Sequence, residues 1–172
     1  MEQTVSLKVK IIFTITFAFL TALGANCFFY LPFTPVPLTM QVFTVLLSSL
    51  ILGMPYAFYS QLMYVGLGFM GMGVFAGFNN SYTVLAGPTA GYVLGFLAAS
   101  FVSSYIFKNI SSPKRVWWAL MAGLLCIYSL GYIHILFYVN KSIAFSSAEA
   151  ANVFKLAVLP FIVPDIIKIL LA

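Results

Sequence analysis

Long apolar segments separated by short loops make up most of this 172-residue chain. Each segment is about 20 residues long, which suits an α-helix that crosses a bilayer and is too long for a barrel strand. No residue between Ile11 and Phe107 carries a formal charge. Because a water-soluble fold cannot cover its surface in this way, the pattern predicts an all-α integral membrane protein with about six crossings.

Prolines and glycines mark where the predicted helices end. We expect one membrane domain over residues 1–172, with a sixth helix that begins near Pro164. Few residues follow Pro164, and at about 1.5 Å each they cannot cross a bilayer, so either the last helix begins earlier than Pro164 or it is truncated at the C-terminus. The other predicted helices cover about 8–30, 39–52, 56–70, 87–108 and 116–139, with a short helix that ends near 159.

Two of the loops are apolar and irregular. One, at 31–39, contains three prolines. The other, at about 71–86, begins within a glycine-rich stretch. Irregular backbone at membrane depth is tolerated only where protein or a cavity surrounds it. These loops are therefore candidate walls or lids of a pocket.

The chain is 63% hydrophobic and 6% charged, with a formal net charge of +5. That charge does not indicate nucleic-acid binding, because the basic residues cluster at the ends of predicted helices. With the N-terminus inside, one side of the membrane carries most of them, which predicts that both termini are cytoplasmic. The five basic residues on that side are Lys8, Lys10, Lys108, Lys114 and Arg115.

The chain's only aspartate, Asp165, and Lys168 lie in an otherwise apolar run. Pro164 predicts the first turn of a helix, in which Asp165 would face free backbone N–H groups and Lys168 would follow one turn later on the same face. Ionisable residues in a membrane segment are costly and face a cavity or each other. The pair therefore contacts a ligand or forms a structural ion pair near the interface, with Lys168 extended toward water.

Small residues recur every four positions at two places. On the fourth helix they predict close packing, either within the chain or against a partner. On the first helix, Ala18 and Ala22 form a shorter pair with the same two interpretations. The fourth-helix stripe consists of Gly87, Gly91, Gly95 and Ala99.

The sequence contains no phosphate-binding loop and no metalloprotease or serine-hydrolase motif. We therefore predict that the chain is not an enzyme, does not hydrolyse ATP and has no resident cofactor. Cys27 and Cys126 have no metal-ligand spacing and are expected to act as small hydrophobes. His134, near the outer end of the fifth predicted helix, is expected to be an interface residue rather than a ligand.

Four motifs in this order resemble the BioY family of biotin-specific substrate-binding (S) components of energy-coupling factor transporters. They are PFTPVPLTMQ at 32–41, VFAG at 74–77, GPTAGYVLGF at 87–96 and LPFIVPDIIK at 159–168. The resemblance implies a six-helix bundle in a prokaryotic plasma membrane. It implies biotin uptake, with biotin bound near the outer face and with a transmembrane coupling protein and two ABC ATPases as partners.

By this resemblance, Asp165 and Lys168 would hold the ureido head of biotin, and Ala18 and Ala22 would dock the coupling protein. The other candidate ligand contacts are polar or aromatic side chains near the two loops. They are Gln41, Asn79, Thr89, Tyr92, Phe33, Phe75 and Tyr82.

Two alternatives stay open from the residues alone. The chain could be an S component for another small vitamin, such as thiamine or riboflavin, or a membrane scaffold subunit that transports nothing.

Overall fold

The protein is a bundle of helices, seen in a computed structural model that describes residues 6–79, 81–140 and 146–171. Apolar runs form the helices, and the two apolar loops join them at one end of the bundle. The elements are α1 (Leu7–Asn26), β1 (Phe28–Phe29), β2 (Leu38–Thr39), α2 (Gln41–Ile51), α3 (Tyr56–Phe69), α4 (Ser81–Leu85), α5 (Ala90–Asn109), α6 (Arg115–Asn140), α7 (Ser147–Ala157) and α8 (Leu159–Leu171).

Three of the described helices are long and apolar enough to cross a membrane: Leu7–Asn26, Ala90–Asn109 and Arg115–Val139. The predicted second, third and fifth helices lie within about two residues of α2, α3 and α6. The first helix ends at Asn26 rather than near residue 30, because Phe28 and Phe29 enter a short antiparallel ladder with Thr39 and Leu38.

The small-residue stripe on α5 lets this helix lie close against α6. A Cβ added at Gly95 would lie 2.8 Å from Ile127 Cα, and one added at Gly91 would collide with the backbone of Leu130. His134 Nε2 lies 2.9 Å from the Gly87 carbonyl oxygen at the start of α5. The stripe therefore serves packing within the chain, and His134 contributes to the contact between α6 and the segment before α5.

Both irregular loops are fixed to the end of α1. The β1–β2 ladder closes the proline loop. The glycine loop forms a short 3₁₀ turn over Ala76–Phe78, in which Gly77 has a φ of 73°. The backbone N–H of Phe78 donates to Asn26 Oδ1 at 2.9 Å. The loops therefore meet over the same end of the bundle.

The predicted start of the last helix at Pro164 is wrong. The helix α8 begins at Leu159 and contains Pro164 in its interior, and only Val158 separates it from α7. Prolines are tolerated inside helices of membrane proteins, where neighbouring groups satisfy the backbone that they free. The alternative that this helix begins earlier than Pro164 is thus confirmed.

Candidate functional site

A cavity of about 200 Å³ lies under the two loops. This volume is below the roughly 300–1,000 Å³ of drug-sized ligand pockets and suits a small molecule. Most of its wall is apolar and aromatic, with a few polar groups. Its wall consists of Tyr30, Pro35, Val36, Pro37, Thr39, Gln41, Val42, Phe75, Ala76, Asn79, Thr83, Val84, Pro88, Thr89, Tyr92, Val93, Phe96, Ile127, Tyr128, Phe161, Asp165 and Lys168.

Asp165 and Lys168 form a buried ion pair at this cavity. Lys168 Nζ lies 2.7 Å from Asp165 Oδ1, and the two residues are 2% and 6% exposed. Their spacing of three residues on α8 places them on one face, as predicted. Asp165 lies well inside α8, however, so the expectation that it faces free N–H groups of a first helical turn is wrong.

Two further groups fix this ion pair. The Tyr128 hydroxyl, on α6, donates to Asp165 Oδ2 at 2.7 Å. Lys168 Nζ also donates to the backbone oxygen of Thr39 at 2.6 Å. The pair therefore joins α8 to α6 on one side and to the closed end of the proline loop on the other.

The network continues from Thr39 to α3. The Thr39 hydroxyl donates to Gln41 Oε1 at 3.0 Å, and Gln41 Nε2 donates to the Tyr64 hydroxyl at 2.7 Å. Gln41 and Tyr64 are buried. Because both ends of the Gln41 amide have partners, its orientation is fixed, and this side chain forms part of the cavity wall as predicted.

Four other predicted residues also line the cavity: Phe75, Asn79, Thr89 and Tyr92. Phe75 packs edge-to-face on Tyr64, with 5.4 Å between ring centroids. Asn79 lies at the exposed rim and donates to the Ala76 carbonyl oxygen at 2.8 Å. The Tyr92 hydroxyl donates to the Ala157 carbonyl oxygen at 2.5 Å, next to the break between α7 and α8.

Two predicted wall residues are not brought into the cavity by the described structure. Phe33 is absent from its wall and is 56% exposed, so we remove it from the candidate site. The proline loop turns this side chain outward and presents Pro35, Val36 and Pro37 instead. The side chain of Tyr82 lies outside the described part of the chain.

Ala18 and Ala22 do not form an exposed surface. They are 0% and 8% exposed and belong to the core cluster of the bundle, where α1 packs against α2 and α3. The prediction that they dock a partner stays a prediction. Their small side chains allow the close approach of helices within the chain.

Tyr128 and Thr39 contact the ion pair, and the sequence did not single them out as site residues. A tyrosine in the middle of an apolar helix needs a hydrogen-bond partner, which is a signal that it faces protein rather than lipid. However, α6 contains several tyrosines, and their spacing does not say which one meets α8. The contribution of Thr39 comes from its backbone oxygen, which leaves no trace in residue identity.

The ion pair retains hydrogen-bonding capacity toward the cavity. A lysine ammonium has three N–H donors, and two of those on Lys168 are used. An ionised carboxylate has about four acceptor positions, and Asp165 uses one on each oxygen. The site can therefore offer a donor and an acceptor side by side to a ligand that carries both.

Comparison with known proteins agrees with the four sequence motifs. The model of the BioY family matches residues 1–172. A probable biotin transporter BioY of Pyrococcus horikoshii is 39% identical over 152 residues, which cover 88% of this chain and 84% of that protein. The biotin transporter BioY of Thermotoga maritima is 37% identical over 142 residues, or 83% of this chain and 79% of that protein.

The fold is also similar to a solved one. The crystal structure of an S-component for biotin from an ECF-type ABC transporter matches with a TM-score of 0.80 and covers 98% of this chain and 90% of that chain. Its sequence identity of 20% makes this a likeness of fold. With the family model and the two relatives, it confirms that the chain is a multi-pass membrane protein of the BioY family.

Proposed function

We propose that this chain is the biotin-binding S component of an energy-coupling factor transporter and serves biotin uptake. The observation that carries the proposal is the Asp165–Lys168 pair, which retains acceptor and donor capacity at the wall of a small apolar cavity. The ureido group of biotin has N–H donors and a carbonyl acceptor that match this pair. Its thiophane ring and aliphatic tail suit aromatic walls such as Phe75 and Phe96.

We propose further that the cavity faces the outside of a prokaryotic plasma membrane and that both termini are cytoplasmic. The basic residues support this, because Lys8 and Lys10 begin α1 and Lys108 ends α5. The cavity lies at the opposite ends of these helices, after α1 and before α5. Basic residues favour the cytoplasmic side of membrane helices.

A transmembrane coupling protein and two ABC ATPases are the proposed partners. The absence of an ATP-binding motif from this chain supports them, as does its likeness to an S-component of an ECF-type ABC transporter. Co-expression with such partners should give a complex whose biotin uptake into vesicles requires ATP. Uptake of equal rate by the chain alone would contradict the role of these partners.

The binding proposal is tested on the purified chain by isothermal titration calorimetry. We expect biotin to bind and thiamine and riboflavin not to displace it. Asp165→Asn should weaken binding by about 1.5–3 kcal/mol, the scale of a hydrogen bond to a charged group, which is about 10- to 150-fold in Kd. Glu149→Gln is the matched control, because this carboxyl group is exposed and does not line the cavity.

Unchanged affinity in Asp165→Asn would contradict the site, and displacement of biotin by another vitamin would contradict the ligand. A folded chain that binds none of the three would leave the scaffold interpretation. These outcomes are distinct from one another.

The native cysteines test the orientation. Cys27 is exposed just after α1, whereas Cys126 lies in the middle of α6. A membrane-impermeant thiol reagent added to intact cells should label the chain, and Cys27→Ala should abolish the labelling. Labelling only after the membrane is opened would reverse the proposed orientation.

A further inference from the structure

We infer that Tyr128 is a specificity-determining residue, which fixes the orientation of the Asp165 carboxylate so that it accepts a hydrogen bond from an N–H group of a cyclic urea. The inference rests on the proposed function, since it concerns the ligand of the same cavity. It starts from the hydrogen bond of 2.7 Å between the Tyr128 hydroxyl and Asp165 Oδ2.

The carboxylate of an aspartate turns readily about its last side-chain torsion, because rotation between an sp³ and an sp² carbon has broad minima. One hydrogen bond leaves much of this rotation free. In this protein Lys168 holds Oδ1 and Tyr128 holds Oδ2, each at 2.7 Å. Two donors on different oxygens, from different helices, fix the plane of the group and leave defined acceptor positions for a ligand.

The position of Tyr128 makes this role specific to its hydroxyl. Its side chain lines the ligand cavity and also lines a separate groove of about 570 Å³ between α6 and α7. Tyr128 thus lies between the cavity and the groove, and its hydroxyl bonds Asp165. Replacement by phenylalanine removes the hydroxyl that bonds Asp165 and keeps an aromatic ring at this position.

Tyr132 provides a matched control one turn further along α6. Its hydroxyl donates to the Ala150 carbonyl oxygen on α7 at 3.2 Å, and its side chain does not line the ligand cavity. Tyr132→Phe therefore removes a tyrosine hydroxyl that bonds a neighbouring helix, without touching Asp165.

The experiment compares the unaltered chain, Tyr128→Phe and Tyr132→Phe for binding of three compounds. They are biotin, a biotin with a methyl group on both ureido nitrogens, and biotinamide, which differs only at the tail. We expect Tyr128→Phe to raise the Kd of biotin about tenfold. The variant should also discriminate less between biotin and the methylated compound than the unaltered chain does. The preference of Tyr128→Phe for biotin over biotinamide should equal that of the unaltered chain. For Tyr132→Phe, the Kd of each compound should stay within about threefold of the value for the unaltered chain.

A spectroscopic readout follows the carboxylate directly. Asp165 is the only aspartate in the chain, so aspartate labelled with ¹³C at the side-chain carboxylate carbon, Cγ, reports this residue alone. The resonance should move in Tyr128→Phe and not in Tyr132→Phe. Should Tyr128→Phe not fold, a fluorinated tyrosine at position 128, which keeps the ring and is a stronger donor, should move the same resonance.

An unmoved resonance, or equal weakening of all three compounds by Tyr128→Phe, would overturn the inference and leave biotin binding by the unaltered chain intact. Failure of the unaltered chain to bind biotin would overturn the proposed function, and this inference with it.

Discussion

Two clusters of buried polar side chains lie in this bundle and differ in what they leave open. The cavity network joins Tyr128, Asp165, Lys168 and Gln41 and lines a space. The second cluster, which we call the Gln61 cluster, places Gln61 Nε2 at 3.2–3.4 Å from the hydroxyl oxygens of three residues on three helices. They are Thr21, Ser48 and Ser60, and all four members are 0% exposed.

The Gln61 cluster is closed. None of its members lines the ligand cavity, and each of its three hydroxyls donates to a carbonyl oxygen of its own helix. Gln61 Oε1 has no hydrogen-bond partner among the described residues. Burial of polar groups therefore does not by itself mark a ligand site. A ligand site combines spare donors and acceptors with a space that they face.

The largest expected effect comes from Lys168→Met. It removes one member of a buried ion pair and leaves the Asp165 carboxylate without its cation, which costs about 3–5 kcal/mol of unfolding free energy. Biotin binding should be lost as well. Denaturant unfolding and calorimetry measure the two effects, with Lys155→Met as the control, because Lys155 is exposed. If Lys168→Met kept full stability and full biotin binding, the ion pair would have no more role in the ligand site than the Gln61 cluster.

A paired substitution compares the two glutamines directly. Gln41→Leu breaks hydrogen bonds with Thr39 and Tyr64 at the cavity wall and should weaken biotin binding by about 1–2 kcal/mol. Gln61→Leu removes an amide whose oxygen has no partner. It should change neither binding nor, by more than about 1 kcal/mol, the unfolding free energy. Equal loss of binding in both variants would contradict the distinction between the clusters.

Redundancy within the Gln61 cluster predicts a smaller effect. Ser48→Ala leaves Gln61 Nε2 with two hydroxyl acceptors, Thr21 and Ser60, for its two N–H groups. The loss of unfolding free energy should stay below about 1 kcal/mol, with biotin affinity unchanged. Thermal unfolding with and without biotin measures both, and a shift in biotin affinity would show that the cluster communicates with the cavity.

The smallest effect on stability is expected at an exposed carboxylate, that of Glu149 in the first turn of α7. The backbone N–H and the hydroxyl of Ser146 donate to the Glu149 carboxylate and lower its pKa. A carboxyl group with a lowered pKa in the folded state stabilises above its unfolded pKa, and this contribution disappears as pH falls through the folded pKa. Unfolding measured from pH 6 down to about pH 3 should lose this small contribution, which Glu149→Gln should lack.

Most of the helices were predictable because apolar runs encode them locally, whereas α4 (Ser81–Leu85) lies in a segment predicted as a loop. The stripe of small residues on α5 likewise indicated close packing, which α6 provides. Errors arose where tertiary contacts override local preference. Pro164 predicts a helix start, but the surrounding bundle accommodates it inside α8. Docking by Ala18 and Ala22 stays a prediction, and the chain's own helices bury both residues.

By itself, the sequence determined the membrane class, the approximate helices, the family and the pairing of Asp165 with Lys168, because these follow from composition, local motifs and helical spacing. The tertiary structure decided which residues surround that pair. Tyr128 and the Thr39 backbone oxygen lie 37 and 126 residues away from Asp165 along the chain, and no local pattern relates them to it. Only the packing of α8 against α6 and the closed proline loop brings these groups to the two charges.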